Sequence, residues 1–134
     1  MSTSKVLLRM NKFLVLVVDD DPVQRFVAQK QLQRFGLDSI VATNGQQAVA
    51  VAELHTFDLI LMDVQMPVMD GLEATIAIRA SVTKKNTHTP IIAVTANPDR
   101  EQCVLAGMSD YLFKPVVLEE LQTILNKWIL DKAG

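Results

Sequence analysis

Apolar residues in this chain recur as short blocks separated by amphipathic stretches. The blocks Phe13–Val18, Ile40–Ala42, Leu59–Met62, Ile91–Val94 and Tyr111–Phe113 are mostly aliphatic or β-branched and bounded by turn formers, which predicts five short strands. None alternates apolar with polar, so the strands should be covered on both faces, as in a parallel sheet. Between the blocks the apolar period is helical. Ala28, Leu32 and Phe35 stand at i, i+4 and i+7, with Gly36 placed to stop that helix. Asn44-Gly45 opens a second helix carrying Ala48, Val51 and Ala52. Asp70 can cap a third, and Glu73 supplies the other half of a capping box. A fourth starts near Pro98 and ends near Gly107. The fifth has the clearest stripe: Leu118, Leu121, Leu125 and Trp128, with Ile124 and Ile129 alongside.

Five strands alternating with five helices predict an α/β fold, a doubly wound parallel sheet in which every connection can be a right-handed crossover. The strand order 2-1-3-4-5 is the most economical arrangement. It sets the ends of the first and third strands side by side at a topological switch point.

Composition narrows the function classes. At 134 residues and 14.9 kDa the chain suits one domain whose core needs no disulfide or metal staple. That domain is expected over 12–130, after a flexible basic segment at 1–11 and before a tail at 131–134, with no second domain following. Thirteen basic and fifteen acidic side chains leave a net charge of −2, too weak a field for nucleic acid or an anionic membrane surface. Phe13–Val18, the longest clearly apolar stretch, is six residues against the ~20 of a spanning helix, so no membrane span is expected. The single cysteine, Cys103, excludes an intramolecular disulfide and fits a reducing, cytoplasmic setting as a small apolar side chain on the fourth helix. His55 and His88 fall in loops without metal-ligand spacing, and Lys84-Lys85 reads as a solvated loop pair.

The position of the acids carries more information than their number. Asp19, Asp20 and Asp21 follow directly on the first strand, and Asp63 follows directly on the third. In the 2-1-3-4-5 order these carboxylates converge in one crevice, where they repel one another unless a counterion joins them. Mg²⁺ prefers carboxylate and water oxygens and commonly uses one or two protein carboxylates, so Asp19, Asp20 and Asp63 predict a Mg²⁺ site. Asp21 is instead expected to cap the next helix, with Pro22 in its first turn. Thr95-Ala96 ends the fourth strand with a hydroxyl, and Lys114-Pro115 follows the fifth with an ammonium group. A carboxylate nucleophile, a divalent cation, a hydroxyl and a lysine around one crevice suit phosphoryl transfer.

These residues are where the chain resembles response-regulator receiver domains. The resemblance runs from about Lys12 to Trp128, through Val18-Asp19-Asp20-Asp21-Pro22 and Leu61-Met62-Asp63-Val64-Gln65-Met66-Pro67-Val68-Met69-Asp70-Gly71. It continues through Val94-Thr95-Ala96 and Tyr111-Leu112-Phe113-Lys114-Pro115. It implies a flavodoxin-like fold and an aspartyl-phosphate switch of the two-component phosphorelay, not an enzyme beyond slow self-catalysed phosphoryl transfer and autodephosphorylation. In that reading Asp63 accepts a phosphoryl group from a phosphohistidine on a histidine kinase or histidine phosphotransfer protein. Asp20 and Asp63 bind Mg²⁺ with the Gln65 main-chain carbonyl, while Asp19 acts mostly through water. Thr95 and Lys114 hold the phosphoryl oxygens. Movement of Thr95 and a new rotamer of Tyr111 then remodel the surface of the fourth helix, fifth strand and fifth helix for a downstream protein target. The resemblance further implies a cis Lys114-Pro115 bond and a monomer or weak dimer.

Gln65 and Asn97, two residues beyond Asp63 and Thr95, occupy positions that tune dephosphorylation in this family. The turn Gly107-Met108-Ser109-Asp110 and the string Met66–Gly71 look most like receivers of hybrid histidine kinases. Two other readings compete. Asp19-Asp20-Asp21-Pro22-Val23 also fits the opening of a haloacid-dehalogenase-like phosphatase with Asp19 as nucleophile, but its acidic pair would have to be Glu119-Glu120, inside a helix start. A non-phosphorylated receiver-like interaction module would typically lack the acidic pocket, the acceptor or the lysine, and all are present.

Overall fold

Full burial of the strands on both faces sets the architecture. The computed structural model describes residues 13–97 and 99–131. Strands β1 (Leu14–Val18), β2 (Asp38–Ala42), β3 (Leu59–Asp63), β4 (Ile91–Thr95) and β5 (Asp110–Phe113) alternate with helices α1 (Pro22–Arg34), α2 (Gly45–Leu54), α3 (Gly71–Arg79), α4 (Arg100–Ala106) and α5 (Leu118–Leu125). Every pairing is parallel and the order is β2-β1-β3-β4-β5, as the apolar blocks predict. The expected basic segment 1–11, Pro98 and positions 132–134 of the tail lie outside the described residues.

Successive strand residues feed two cores. Val15, Val17, Leu61, Ile92 and Val94 pack with Leu32 of α1 and with Leu121 and Leu125 of α5. Leu16, Val18, Ile60, Met62 and Ala93 pack on the other face, with Ala48, Ala74, Ile78 and Cys103 from α2, α3 and α4. Each fully buried Leu or Ile side chain contributes about 1.5–3 kcal/mol, so a polar residue on either face would be expensive. That is why the strand sequences lack alternation.

Helix ends follow the expected chemistry. The Val23 N–H donates to Asp21 Oδ1 at 2.9 Å, and Asp70 and Glu73 form the reciprocal capping box at 2.9 and 3.3 Å. Asn44 and Asp99 cap α2 and α4 in the same way. Gly36 (φ 75°) ends α1, letting the Leu37 N–H reach the Leu32 carbonyl at 3.1 Å, and Gly107 (φ 104°) ends α4.

Several details differ from the apolar pattern. β2 starts at Asp38, two residues before Ile40, because pairing with Leu14 rather than apolarity sets its first residue. β3, β4 and β5 likewise include the polar Asp63, Thr95 and Asp110. On α1, Leu32 is buried and Ala28 and Phe35 half-buried, but Val23, Phe26 and Val27 turn outward, 64%, 60% and 42% exposed. The half-buried guanidinium of Arg79 donates to the carbonyls of Thr89 (2.7 Å), Asn86 (3.0 Å) and Gly107 (2.9 Å), fastening the loop between α3 and β4 to the turn before β5.

The fifth helix does not continue to Trp128 in one geometry. After Leu125 a π-helical turn, Asn126–Leu130, keeps Ile129 buried and brings the Trp128 indole N–H to Asp110 Oδ2 at 3.0 Å. Lys127 Nζ donates to the same oxygen at 3.0 Å. Burial raises the Asp110 carboxyl, but the hydrogen bonds from Trp128, Lys127 and the Tyr111 N–H outweigh it and hold the group below its usual range. A depressed carboxyl stabilises the fold above its ordinary value near 3.8, and that stability is lost as pH falls through the folded value. Stability should therefore drop on acidification below about pH 4. Asp110→Asn should lose roughly 1–2 kcal/mol at neutral pH and flatten that acid limb. Urea midpoints across the acid range check this; an acid limb as steep in Asp110→Asn as in the parent chain would contradict it.

Candidate functional site

Parallel pairing places the carboxyl ends of β1, β3 and β4 side by side, and each ends in, or is followed directly by, a polar residue. Asp63 and Thr95 are the last residues of β3 and β4, and Asp19 directly follows β1. Carboxylate oxygens of Asp19, Asp20 and Asp63 lie within 4.8 Å of one another. A cavity of about 250 Å³ opens there, lined by these acids with Gln65, Thr95 and Lys114. Lys114 enters from the far side of β4, with Nζ 3.1 Å from Asp63 Oδ1 and 3.4 Å from Asp19 Oδ2. The structure thus brings together Asp19, Asp20, Asp63, Gln65, Thr95 and Lys114 as the sequence predicts.

Their environments differ. Asp19 and Asp63 are buried, 7% and 2% exposed, and so is Thr95, whereas Asp20 is exposed. Asp19 is held through its Oδ1 by the Asp21 N–H at 2.9 Å, and Asp63 Oδ1 accepts from the Gln65 N–H at 3.2 Å. The Thr95 hydroxyl accepts from the Asn97 N–H at 3.2 Å, which leaves its proton available to the cavity. The Lys114-Pro115 bond is cis, and the Lys114 N–H donates to the Thr95 carbonyl at 3.0 Å. Asp21 caps α1 and also lines the mouth of the cavity, outside the cluster of three acids. Tyr111, in β5, does not line this cavity: it is half-buried between the Arg100 guanidinium (4.6 Å) and the Phe113 ring (5.5 Å), and lines a separate pocket with Arg100, Cys103 and Met108. Glu119 and Glu120 are exposed on α5 and do not line the cavity, so the acidic pair required by an Asp19-nucleophile phosphatase is not assembled.

Charge is unbalanced in the cavity. The three clustered carboxylates carry a formal −3 against +1 on Lys114, a sum of −2, and Asp21 at the cavity wall adds a further negative charge. Burial pushes the Asp63 carboxyl up from near 3.8; the Lys114 hydrogen bond and charge oppose this, Asp19 adds to it, and the group stays raised. Burial disfavours the Lys114 charge, but the hydrogen bond and charge of Asp63, together with Asp19, hold its ammonium above the usual range. Asp63 Oδ2 is buried with no hydrogen-bond partner among the described residues. A hard, all-oxygen donor set with a surplus of negative charge and one unsatisfied carboxylate oxygen fits Mg²⁺.

Positioning residues outside the predicted set complete the site. Arg25 Nη1 donates to the Asp19 carbonyl at 2.8 Å, a role that no local signal marks on an exposed helix. Gln24 lines the cavity one turn beyond the acids. Gly71 is needed for close approach rather than for a positive φ, since an added Cβ would collide with the Asp63 carbonyl. In the same loop the Met69 N–H donates to the Pro67 carbonyl at 2.9 Å, closing a three-residue turn around Val68 (φ 72°). For a β-branched residue that conformation costs on the order of 1–3 kcal/mol.

A family model described as the response regulator receiver domain matches residues 15–126. Sensor protein GacS of Pseudomonas syringae pv. syringae is 40% identical over 118 residues, which are 85% of this chain and 13% of that protein. The chain therefore spans a small part of this curated relative's length. The receiver domain of sensor histidine kinase PA1611 from Pseudomonas aeruginosa PAO1, solved with magnesium in its active site cleft, superposes with a TM-score of 0.80 at 45% identity, covering 88% of this chain and 98% of that one. The complex of the Saccharomyces cerevisiae phosphotransfer protein Ypd1 with the receiver domain of Ssk1 gives a TM-score of 0.80 at 32% identity, covering 88% of this chain and 89% of the matched one.

Two outcomes follow from the charge and packing of the site. A raised carboxyl favours the fold only while protonated, an effect present below its ordinary value and lost as pH rises through the folded value. At neutral pH ionised Asp63 therefore costs stability, and in EDTA Asp63→Asn should stabilise the fold by roughly 0.5–2 kcal/mol, read as a higher denaturant midpoint, with Asp19 still facing Lys114. The exposed Asp20→Asn should gain less. A lowered midpoint in both variants would refute this. Gly71→Ala should lose about 1–3 kcal/mol by overpacking against the Asp63 main chain, measured in the same titration; a stability equal to that of the parent would show that the loop yields freely.

Proposed function

The chain belongs to the response regulator receiver domain family of two-component signalling, a phosphoacceptor switch and not a classical enzyme, and from that premise we propose that Asp63 is its phosphoacceptor. The supporting observation is the convergence of a buried carboxylate, two further acids, a hydroxyl and one ammonium group on a single cavity. An Asp63 carboxylate oxygen attacks the phosphorus of a phosphohistidine on a histidine kinase or histidine phosphotransfer protein. The P–N bond breaks, and the imidazole leaves with its electron pair and takes a proton. Lys114 and the Thr95 hydroxyl bind the phosphoryl oxygens, replacing the hydrogen bond that Lys114 now gives Asp63. Asp20, Asp63 and the Gln65 main-chain carbonyl, with Asp19 through water, would hold Mg²⁺. When bound, that ion supplies the positive charge that lets a dianionic group enter an acidic cavity. Gln65 and Asn97 stand beside the acceptor and Thr95, where they set how long the phosphoryl group persists.

Thr95 and Tyr111 connect the cavity to the output surface. Drawing the Thr95 hydroxyl towards a phosphoryl oxygen vacates space beside β5 and permits a new rotamer of Tyr111. The face of α4, β5 and α5 already exposes Val104, Leu105, Phe113 and Val117, an apolar surface suited to a downstream protein. The unit we assign is 12–130, acting as a monomer or weak dimer. A cytoplasmic setting fits its free, buried Cys103, and no helix among the described residues is long and apolar enough to cross a membrane.

Beryllofluoride, a stand-in for the phosphoryl group, tests the assignment by ¹⁹F NMR. The parent chain should bind it with Mg²⁺ and lose it in EDTA. Asp63→Ala should not bind it, and retained binding in that variant would sink the assignment.

A further inference from the structure

Part of α1 stands clear of the segment that follows β5. Gln24, Val27, Ala28 and Gln31 share one face of that helix, at i, i+3, i+4 and i+7, and opposite them run Lys114, Pro115 and Val116. Between the two lies a cavity of about 190 Å³. Its floor is core: Val17, Leu61, Val94 and Leu121 line it, and each is buried. Its mouth carries the exposed Gln24, Val27 and Pro115. Gln31 Nε2 donates across it to the Val116 carbonyl at 3.4 Å, a bond longer than ordinary and easily opened. Protein interiors keep few voids wider than a water molecule, because an unfilled one forfeits packing contacts. Space of this size over core side chains calls for an occupant.

Size, polarity and charge define what fits. An apolar protein cavity of about 150 Å³ takes up benzene, whereas pockets for drug-sized ligands start at roughly 300 Å³. This cavity therefore suits a single ring with one small substituent. Asp19, Gln24 and Lys114 line both this cavity and the acidic one, so they form the wall between them. In that wall Lys114 Nζ and Asp19 Oδ2 stand 3.4 Å apart, a donor beside an acceptor. An anionic substituent would meet the surplus negative charge beyond the wall, and a cationic one would meet the Lys114 ammonium. A neutral hydroxyl avoids both penalties, since it donates to a carboxylate while accepting from an ammonium.

We propose that this cavity is a ligand site for a neutral monocyclic phenol, whose ring covers Val17, Val94 and Leu121 and whose hydroxyl bridges Asp19 and Lys114. Such a ligand draws on the ammonium that pairs with Asp63 at 3.1 Å, and so gives the acceptor cavity a small-molecule input separate from any protein partner. That input, unlike the binding itself, rests on the phosphoacceptor reading above.

Phenol itself is the probe, with toluene and benzoate as its apolar and anionic counterparts. In the methyl-labelled parent chain phenol should shift the methyl resonances of Val17, Val94 and Leu121 saturably at about millimolar concentration, and show NOEs to them. Toluene should bind about fivefold more weakly, and benzoate should leave these methyls unshifted. Ala28→Leu, which fills the cavity from α1, should abolish the phenol shifts while binding beryllofluoride like the parent. With Mg²⁺ present, saturating phenol should weaken beryllofluoride binding to the parent about threefold or more and leave Ala28→Leu unaffected. Absence of NOEs between phenol and these methyls in the parent would overturn the site, whether or not Ala28→Leu folds. Toluene binding as tightly as phenol would overturn the hydroxyl bridge, and an unchanged beryllofluoride affinity would overturn the input through Lys114. A parent chain that took no beryllofluoride at all would instead bring down the phosphoacceptor reading, while the NOEs would still decide the ligand site.

Discussion

Lys114 reaches across the sheet from the end of β5 to Asp63 at 3.1 Å and Asp19 at 3.4 Å, passing the end of β4 on the way. That reach exists only because the strand ends are level, with Thr95 opposite Phe113, Asp63 opposite Val94 and Val18 opposite Met62. A one-residue slip of any of these strands would turn its buried side chains to the opposite face, exchanging the two cores. The same burial that stabilises the sheet therefore sets the position of one ammonium group against three carboxylates. Register, a property of the hydrophobic core, becomes the geometry of the acidic cavity.

The pair is deliberately incomplete as a stabilising interaction. One cation against a formal −3 leaves Asp63 raised, and its Oδ2 lacks a partner among the described residues. A core built only for stability would not keep such a group at 2% exposure. The surroundings hold it in place. Gly71 lets α3 start against the Asp63 main chain, and Arg25 fixes the carbonyl of Asp19. The capping pairs at Asp21 and Asp70–Glu73 start both neighbouring helices at set residues. Local stability from caps and packing supports a cavity whose own charge is unfavourable.

Outward-facing apolar residues show the other half of the design. Val23 and Phe26 are exposed on α1, while Val104, Leu105, Phe113 and Val117 mark the face of α4, β5 and α5. Tyr111, between Arg100 and Phe113, stands beside the second of these groups. A small sheet with helices on both faces presents apolar side chains at both places without lengthening.

Much of this was legible in the chain because it is governed by local rules. Strand burial leaves unalternated apolar blocks, helix starts leave Asp and Asn at caps, and the parallel order follows from strand–helix alternation. With those, Asp19, Asp20, Asp63, Thr95 and Lys114 had to meet at the strand ends. What the sequence did not determine depends on residues distant in the chain. Burial of Asp19 and exposure of Asp20, identical neighbours, was decided by which of them the sheet and α1 cover. Arg25, Arg79 and the π turn that joins Trp128 to Asp110 act through partners that no spacing reveals. Gly71 could be read as a turn residue until packing showed that its missing Cβ makes room for Asp63, and the strain at Val68 arises from closing its loop onto β3. Periodicity and capping extend over a turn or two of chain; burial, close approach and backbone strain are set only when elements far apart in sequence press together.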